Sequence, residues 1–158
     1  MRLFDLHCDT LTRGVRGAGP CADWVQTYAA FLPDGLSGEE ALSHYDSLMA
    51  TAARWREESS DFHIFRGAFS PHGCTAILSV ENGGMLAETA DVFDRFSTDG
   101  IAIVGLTWNG VNAWGHGCGS PHGGLTPQGL QAVHELECRD MIVDVSHLSE
   151  RGFWQLDA

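Results

Sequence analysis

The chain has 158 residues, 44% of them hydrophobic and 19% charged, which is enough to bury the core of one globular domain and excludes a disordered chain. Twenty-one acidic residues against nine basic residues give a formal charge of −12, and this balance argues against a nucleic-acid partner or an anionic membrane surface. The five cysteines are scattered and form no C-x-x-C pair, which predicts reduced thiols. The sequence has no secretion signal and no apolar run of about 18 residues, so we expect a soluble cytoplasmic protein.

Five apolar runs predict β-strands. The first begins at Leu3, and the others cover 24–32, 75–80, 101–107 and 141–145. The run at 75–80 is almost wholly apolar, as expected for a parallel strand buried on both faces. A glycine-rich turn region covers 14–20, and the segment 59–73 mixes aromatic residues with proline and glycine and is not assigned.

Four helices are predicted between and after these strands. They begin after Ser37, near Leu86, at Thr126 and after Ser149, and the second ends near Gly100. Ser37 forms a capping box with Glu40, and apolar residues recur at helical spacing over 41–52. Pro127 suits a first helical position, and Leu130 is predicted on the buried face of that helix. Strands and helices alternate about five times, which is typical of an α/β fold with a parallel sheet.

Four side chains of the kind that bind divalent metals come directly after predicted strands. His7 and Asp9 are two residues apart, so both face the same side of an extended chain, and Glu81 and His147 each follow a later strand. The carboxyl ends of parallel strands meet at one edge, and imidazoles with carboxylates form the ligand set of zinc. Simpler interpretations stay open: His7 is a polar strand end, Asp9 caps a turn, and Glu81 interacts with a helix dipole.

A long glycine-rich segment covers 108–125, after the fourth strand. A loop of this length inside a compact domain is more often functional than idle. It contains His116, Cys118 and His122, which are residue types of a separate zinc site. No fourth ligand is present nearby, so a substrate-side loop is the simpler interpretation.

The most specific feature of the sequence is a set of five short motifs. They are DLHCDT at 5–10, SVENGG at 79–84, GLTWNG at 105–110, GLTPQG at 124–129 and DVSHLS at 144–149. Each is weak alone, but in this order and context they resemble the membrane (renal) dipeptidase family, the zinc dipeptidases of peptidase family M19. The resemblance implies a TIM-like (β/α)₈ metallo-hydrolase barrel in which a binuclear zinc site activates a water to hydrolyse dipeptides.

The resemblance also implies a role for each candidate ligand. His7 and Asp9 are expected to bind one metal ion, Glu81 to bridge two, and His147 to bind the second. Two zinc ions are therefore the expected cofactor of the complete site, although another divalent metal is compatible with the same ligands. A dipeptide is the expected substrate.

The chain also departs from the pattern of that family. Trp108 stands where some members have a histidine near the substrate carbonyl, so Trp108 and Asn109 are assigned only to a substrate-side loop. A full barrel takes about 250 residues, whereas residues 1–158 form a single N-terminal part with about five βα units. The family's second histidine on the second metal, its substrate arginine and its catalytic aspartate are expected in the missing part. No catalytic residue is therefore assigned in this chain.

Three functions stay open from the sequence. The favoured one is a metal-dependent dipeptidase. The second is a non-catalytic fragment or assembly subunit, because five strands leave an apolar edge that a homodimer partner or a complementing chain would cover. The third is another amidohydrolase-like barrel that acts on a phosphate or a cyclic amide.

Overall fold

The computed structural model describes residues 3–14, 24–120 and 122–156, which form six parallel strands and four α-helices. The strands are β1 (Leu3–Cys8), β2 (Trp24–Phe31), β3 (Phe62–Ile64), β4 (Cys74–Glu81), β5 (Ile101–Gly105) and β6 (Ile142–Asp144). The helices are α1 (Gly38–Glu58), α2 (Val92–Asp99), α3 (Pro127–Glu137) and α4 (Glu150–Leu156). The predicted α/β class and the five predicted strands are confirmed. Most of the turn region predicted at 14–20 lies outside the described residues.

Strand β4 is the centre of the sheet. The order is β1-β2-β4-β5-β6, and every pair of neighbours is parallel. Strand β2 pairs with β4 along its whole length, up to Phe31 opposite Glu81. The other side of β4 pairs first with the short strand β3, which lies in the unassigned segment 59–73, and then with β5. Because all strands run the same way, their carboxyl ends form one edge of the sheet.

Helix α1 packs on β2 and supplies much of the core. Its buried residues are Ala41, Tyr45, Leu48, Ala52 and Trp55. The predicted capping box is confirmed, because the Ser37 hydroxyl accepts from the backbone N–H of Glu40 and the Glu40 carboxylate accepts from the Ser37 N–H at 2.9 Å. The ring of Tyr28 in β2 packs edge-to-face on Trp55, with centroids 5.8 Å apart. No helix in the described ranges has both the length and the apolar character needed to cross a membrane.

A hydrogen bond ties α1 to the end of α2. The hydroxyl of Tyr45 donates to Asp99 Oδ2 at 2.7 Å. Burial raises the pKa of the Tyr45 hydroxyl far above its ordinary value, so the group stays protonated and keeps its role as donor. This bond fixes the two helices to each other.

Two helix predictions are wrong in detail. The second predicted helix is divided, because Leu86 ends a short 3₁₀ turn and Asp91 has a left-handed backbone (φ 55°) just before α2. Leu130 of α3, predicted on the buried face, is 44% exposed. The physical reason lies at Gly129, where an added Cβ would be 1.8 Å from the carbonyl oxygen of Trp114. The helix approaches this backbone closely through its small residues, which turns Leu130 outward.

Candidate metal centre

Strand β1 has an irregular register just before its end. Asp5 pairs with Gln26 and Cys8 with Tyr28, so β1 has two residues between these pairs where β2 has one. Such a bulge turns the side chains that follow it toward a new direction. The strand ends one residue later, and Asp9 opens a 3₁₀ turn, Asp9–Leu11. The simple alternation expected from the sequence is therefore replaced by a bulge and a turn at the candidate ligands.

Glu81 lies at the centre of the four predicted ligands. It is the last residue of β4, and its carbonyl oxygen accepts from the backbone N–H of Leu32 at 3.1 Å. Its Oε2 lies 3.7 Å from His7 Nε2, and its Oε1 lies 3.1 Å from His147 Nε2. His7 Nε2 also lies 3.2 Å from Asp9 Oδ1. Each oxygen of one carboxylate therefore faces a different imidazole.

His147 reaches Glu81 from the turn that follows β6. Its carbonyl oxygen accepts from the backbone N–H of Cys118 at 2.8 Å and from the hydroxyl of Thr107 at 3.2 Å. Both donors belong to the chain after β5. One effect of the glycine-rich segment is therefore to fix the turn that carries His147.

Glu81 is the least exposed of the four side chains. Its side chain is 13% exposed, whereas those of His7 and Asp9 are 48% and 61% exposed. Burial raises the pKa of the Glu81 carboxyl above its ordinary value. The imidazoles of His7 and His147 lower this pKa in part, and the carboxylates of Asp9 and Asp144 raise it again. A divalent cation among these groups would favour the ionised carboxylates and remove this cost.

The donor atoms fit a divalent metal ion. One ligand atom from each of His7, Asp9 and Glu81 lies within 4.8 Å of the other two, and no other such group is found within the described residues. His147 is not a member of this trio, but its Nε2 lies near Oε1 of Glu81. Nitrogen and carboxylate oxygen ligands of this kind are those of catalytic zinc sites. The arrangement offers three donors to one ion, and the other oxygen of Glu81 faces His147.

The cluster opens into a cleft of about 360 Å³. One wall is aromatic, with the rings of Phe31 and Trp108 5.0 Å apart between centroids and inclined by 73°. Thr12 and Arg13 line the cleft from the chain that follows β1. Sequence reasoning missed Phe31, Thr12 and Arg13, since no local pattern distinguishes them from a strand end and a turn. The volume is within the usual range for a small-ligand site.

Other residues proposed from the sequence lie outside this cluster. Asn109 does not line the cleft, and its Oδ1 accepts from the thiol of Cys118 at 3.2 Å. His116 Nδ1 lies 3.3 Å from the hydroxyl oxygen of Ser120. In the part of the chain that is described, His116, Cys118 and His122 do not form a metal-binding group.

The fold and the cluster define a class of protein: a parallel α/β sheet whose carboxyl edge gathers nitrogen and oxygen donors. Within that class, the model of the membrane dipeptidase family, peptidase family M19, matches residues 22–157. The chain belongs to this family.

Two curated relatives match part of the chain. An uncharacterised protein of the PQQ-III 3′ region of Acinetobacter calcoaceticus is 32% identical over 85 residues, which are 49% of this chain and 27% of the relative. An uncharacterised protein of the pqqA 5′ region of Klebsiella pneumoniae is 34% identical over 79 residues, 46% of this chain and 29% of the relative. The chain thus covers less than a third of the length of either relative.

Solved structures confirm the predicted partial TIM-like barrel. The dipeptidase AC, a metallopeptidase of family M19, superposes with a TM-score of 0.79 at 21% identity, over 99% of this chain and 59% of that chain. A metallopeptidase from Rhodobacter sphaeroides, bound to a phosphinate mimic of the dipeptide L-Ala-D-Ala, gives a TM-score of 0.78 at 21% identity, over 99% of this chain and 61% of that one. The chain therefore spans about three fifths of the length of these structures.

Proposed function

We propose that this chain carries most of the metal centre of a metal-dependent dipeptidase. The observation that supports this most strongly is the position of Glu81, whose two carboxylate oxygens face the imidazoles of His7 and His147. Membership of the M19 family supports the same class of reaction.

In this proposal His7 and Asp9 would hold one divalent ion, His147 would hold a second, and Glu81 would contribute to both. Zinc is the expected metal because the donors are imidazole nitrogens and carboxylate oxygens. Divalent ions held by these residues would supply Lewis-acid chemistry for the activation of a water molecule and of the substrate carbonyl. The burial of Glu81 keeps this ligand away from bulk water, and the charge of the ions offsets the cost of that burial.

The remaining residues of the cleft select the substrate. The rings of Phe31 and Trp108 exclude water from one wall and accept apolar side chains. Arg13 adds a guanidinium group to the lining, which attracts a free carboxylate. A small peptide with a free carboxylate fits both features, and the dipeptide mimic bound to the Rhodobacter sphaeroides relative supports the same substrate class. No described residue is assigned to proton transfer, so turnover by this chain alone is not part of the proposal.

Metal analysis of the purified full chain after zinc loading and desalting tests the proposal. We expect about one equivalent of zinc or more in the wild type, and less than half of the wild-type content in His7→Ala and Glu81→Ala. His63→Ala is the matched control, because His63 is an exposed imidazole on β3 outside the cluster. Equal zinc content in all four proteins, or almost none in the wild type, would contradict the proposal.

A second function, an assembly subunit that works with another chain, has separate support. Large apolar side chains are exposed on both edge strands of the described sheet, with Leu6 of β1 74% exposed and Ile142 of β6 62% exposed. Surfaces of this kind favour association. A strictly monomeric chain that hydrolyses dipeptides would contradict this second function.

A further inference from the structure

We propose that Asn82 is a positioning residue that holds Glu81 and Trp108 in a fixed relation through a buried hydrogen-bond network. The inference rests on the proposed metal centre, because Glu81 is its central ligand. Asn82 follows Glu81 directly, has no exposed surface, and adopts a left-handed backbone with φ 68°. Its carboxamide is therefore held in the interior directly behind the cluster.

The carboxamide of Asn82 uses all of its hydrogen-bonding capacity. Its Nδ2 donates to the carbonyl oxygen of Leu32 at 2.8 Å and to Asp34 Oδ1 at 2.9 Å. Its Oδ1 accepts from the backbone N–H of Trp108 at 3.1 Å and from Asn112 Nδ2 at 2.8 Å. Two donors and two lone pairs are the full complement of an amide side chain. The chain segments that follow β2 and β5 are thus both tied to the residue after Glu81.

Asn112 extends the network into the glycine-rich segment. Its Nδ2 also donates to the carbonyl oxygen of Leu106 at 2.8 Å, and its Oδ1 accepts from the backbone N–H groups of Trp114 and Gly115 at 2.8 and 3.1 Å. A Cβ added at Gly84 would lie 2.3 Å from Asn112 Oδ1. The glycine is therefore needed so that this amide can reach Asn82.

Asp34 closes the network at its outer end. Its Oδ2 accepts from the backbone N–H of Gly110 at 3.0 Å, and a Cβ added at Gly110 would lie 2.8 Å from the same oxygen. Two glycines from separate segments thus make room for two side chains of one network. Since Trp108 forms the aromatic wall and Glu81 the centre of the cluster, the network links the wall of the cleft to the metal ligands.

Backbone preference alone does not explain an asparagine at position 82. Glycine adopts a left-handed backbone more readily than asparagine does. If position 82 required only this conformation, the variant Asn82→Gly would fold and bind metal at least as well as the wild type. The side chain is needed for the hydrogen bonds that tie the segments after β2 and β5 to the residue next to Glu81, and Glu81 is held through this backbone link. Loss of groups that orient a metal ligand typically weakens metal binding by about 10- to 100-fold.

The test is Co²⁺ binding by the full chain, followed by the visible absorption of the bound ion. We expect Asn82→Gly to bind Co²⁺ at least about tenfold more weakly than the wild type and to change the shape of the absorption band. Asp91→Gly is the matched control, because Asp91 is exposed, has φ 55° and makes no capping hydrogen bond through its side chain. We expect its Co²⁺ affinity and spectrum to equal those of the wild type.

Three outcomes would overturn the inference. The first is an Asn82→Gly variant, folded by circular dichroism, with wild-type affinity and spectrum. If that variant does not fold, Asp34→Ala decides, since Asp34 is exposed and its loss removes only the outer end of the network. We expect it to weaken Co²⁺ binding by about two- to fivefold, and unchanged affinity would be the second contrary outcome. The third is a wild type that binds no Co²⁺, which removes the proposed metal centre and this inference with it.

Discussion

Burial and the two neighbouring imidazoles have opposite effects on the pKa of the Glu81 carboxyl. Its side chain must lie between two imidazoles at the carboxyl end of β4, and this position is largely buried. Burial raises the pKa of the Glu81 carboxyl, and the imidazoles of His7 and His147 offset only part of that rise. A carboxyl with a higher pKa in the folded state than in the unfolded chain favours folding at low pH, and this contribution is lost as the pH rises through the raised value. The residue therefore lowers stability at neutral pH when no metal is bound.

The substitution Glu81→Gln makes this cost measurable. In the presence of EDTA we expect the variant to unfold at a higher urea concentration than the wild type at neutral pH, because glutamine is uncharged. The difference is expected to disappear as the pH falls well below the ordinary glutamate pKa of about 4.3, where the carboxyl is protonated in the unfolded chain as well. Added zinc is expected to reverse the order, since only the wild type gains stability from a ligand that binds the folded state. A variant less stable than the wild type in EDTA at neutral pH would contradict this account.

At the scale of elements, the two edge strands differ from the centre of the sheet. The interior strands β2 and β4 are buried along almost their whole length, whereas most residues of β1 are exposed. Strand β6 has only three residues, and Ile142 projects into solvent. Trp154 of the neighbouring helix α4 is 59% exposed. Exposed apolar surfaces of this kind favour association.

Light scattering of the full chain over a range of concentrations tests this property. We expect the average mass of the wild type to rise with concentration, and the double variant Leu6→Lys/Ile142→Lys to shift association to a several-fold higher concentration. Val111→Lys is the control, since Val111 is 55% exposed but lies in the segment after β5 rather than on an edge strand. A monomeric wild type at all concentrations, or an equal effect of the control, would show that the edges do not mediate association.

At the scale of the whole molecule, the sequence predicted the features that depend on local periodicity. Apolar runs located the strands, and parallel strands bring their carboxyl ends together, so the approach of His7, Glu81 and His147 to one another followed from position in the chain. The capping box at Ser37 and Glu40 is likewise a local pattern, and the structure contains it.

The features that sequence reasoning missed depend on contacts between distant segments. Strand β3 has only three residues and forms because β4 offers it a free side before β5 begins. The exposure of Leu130 is set by the close approach of Gly129 to another backbone segment. The four hydrogen bonds of the Asn82 carboxamide join residues that are 26 to 50 positions apart, and no sequence periodicity predicts such bonds.

Anomalous X-ray scattering at the zinc edge, from crystals of the full chain grown with zinc, tests the metal centre most directly. We expect a strong peak among His7, Asp9 and Glu81 and a weaker one between Glu81 and His147, because the second position has fewer donors in this chain. A zinc-loaded crystal with no peak beside Glu81, or with its main peak at another imidazole or thiol, would contradict the proposed metal centre.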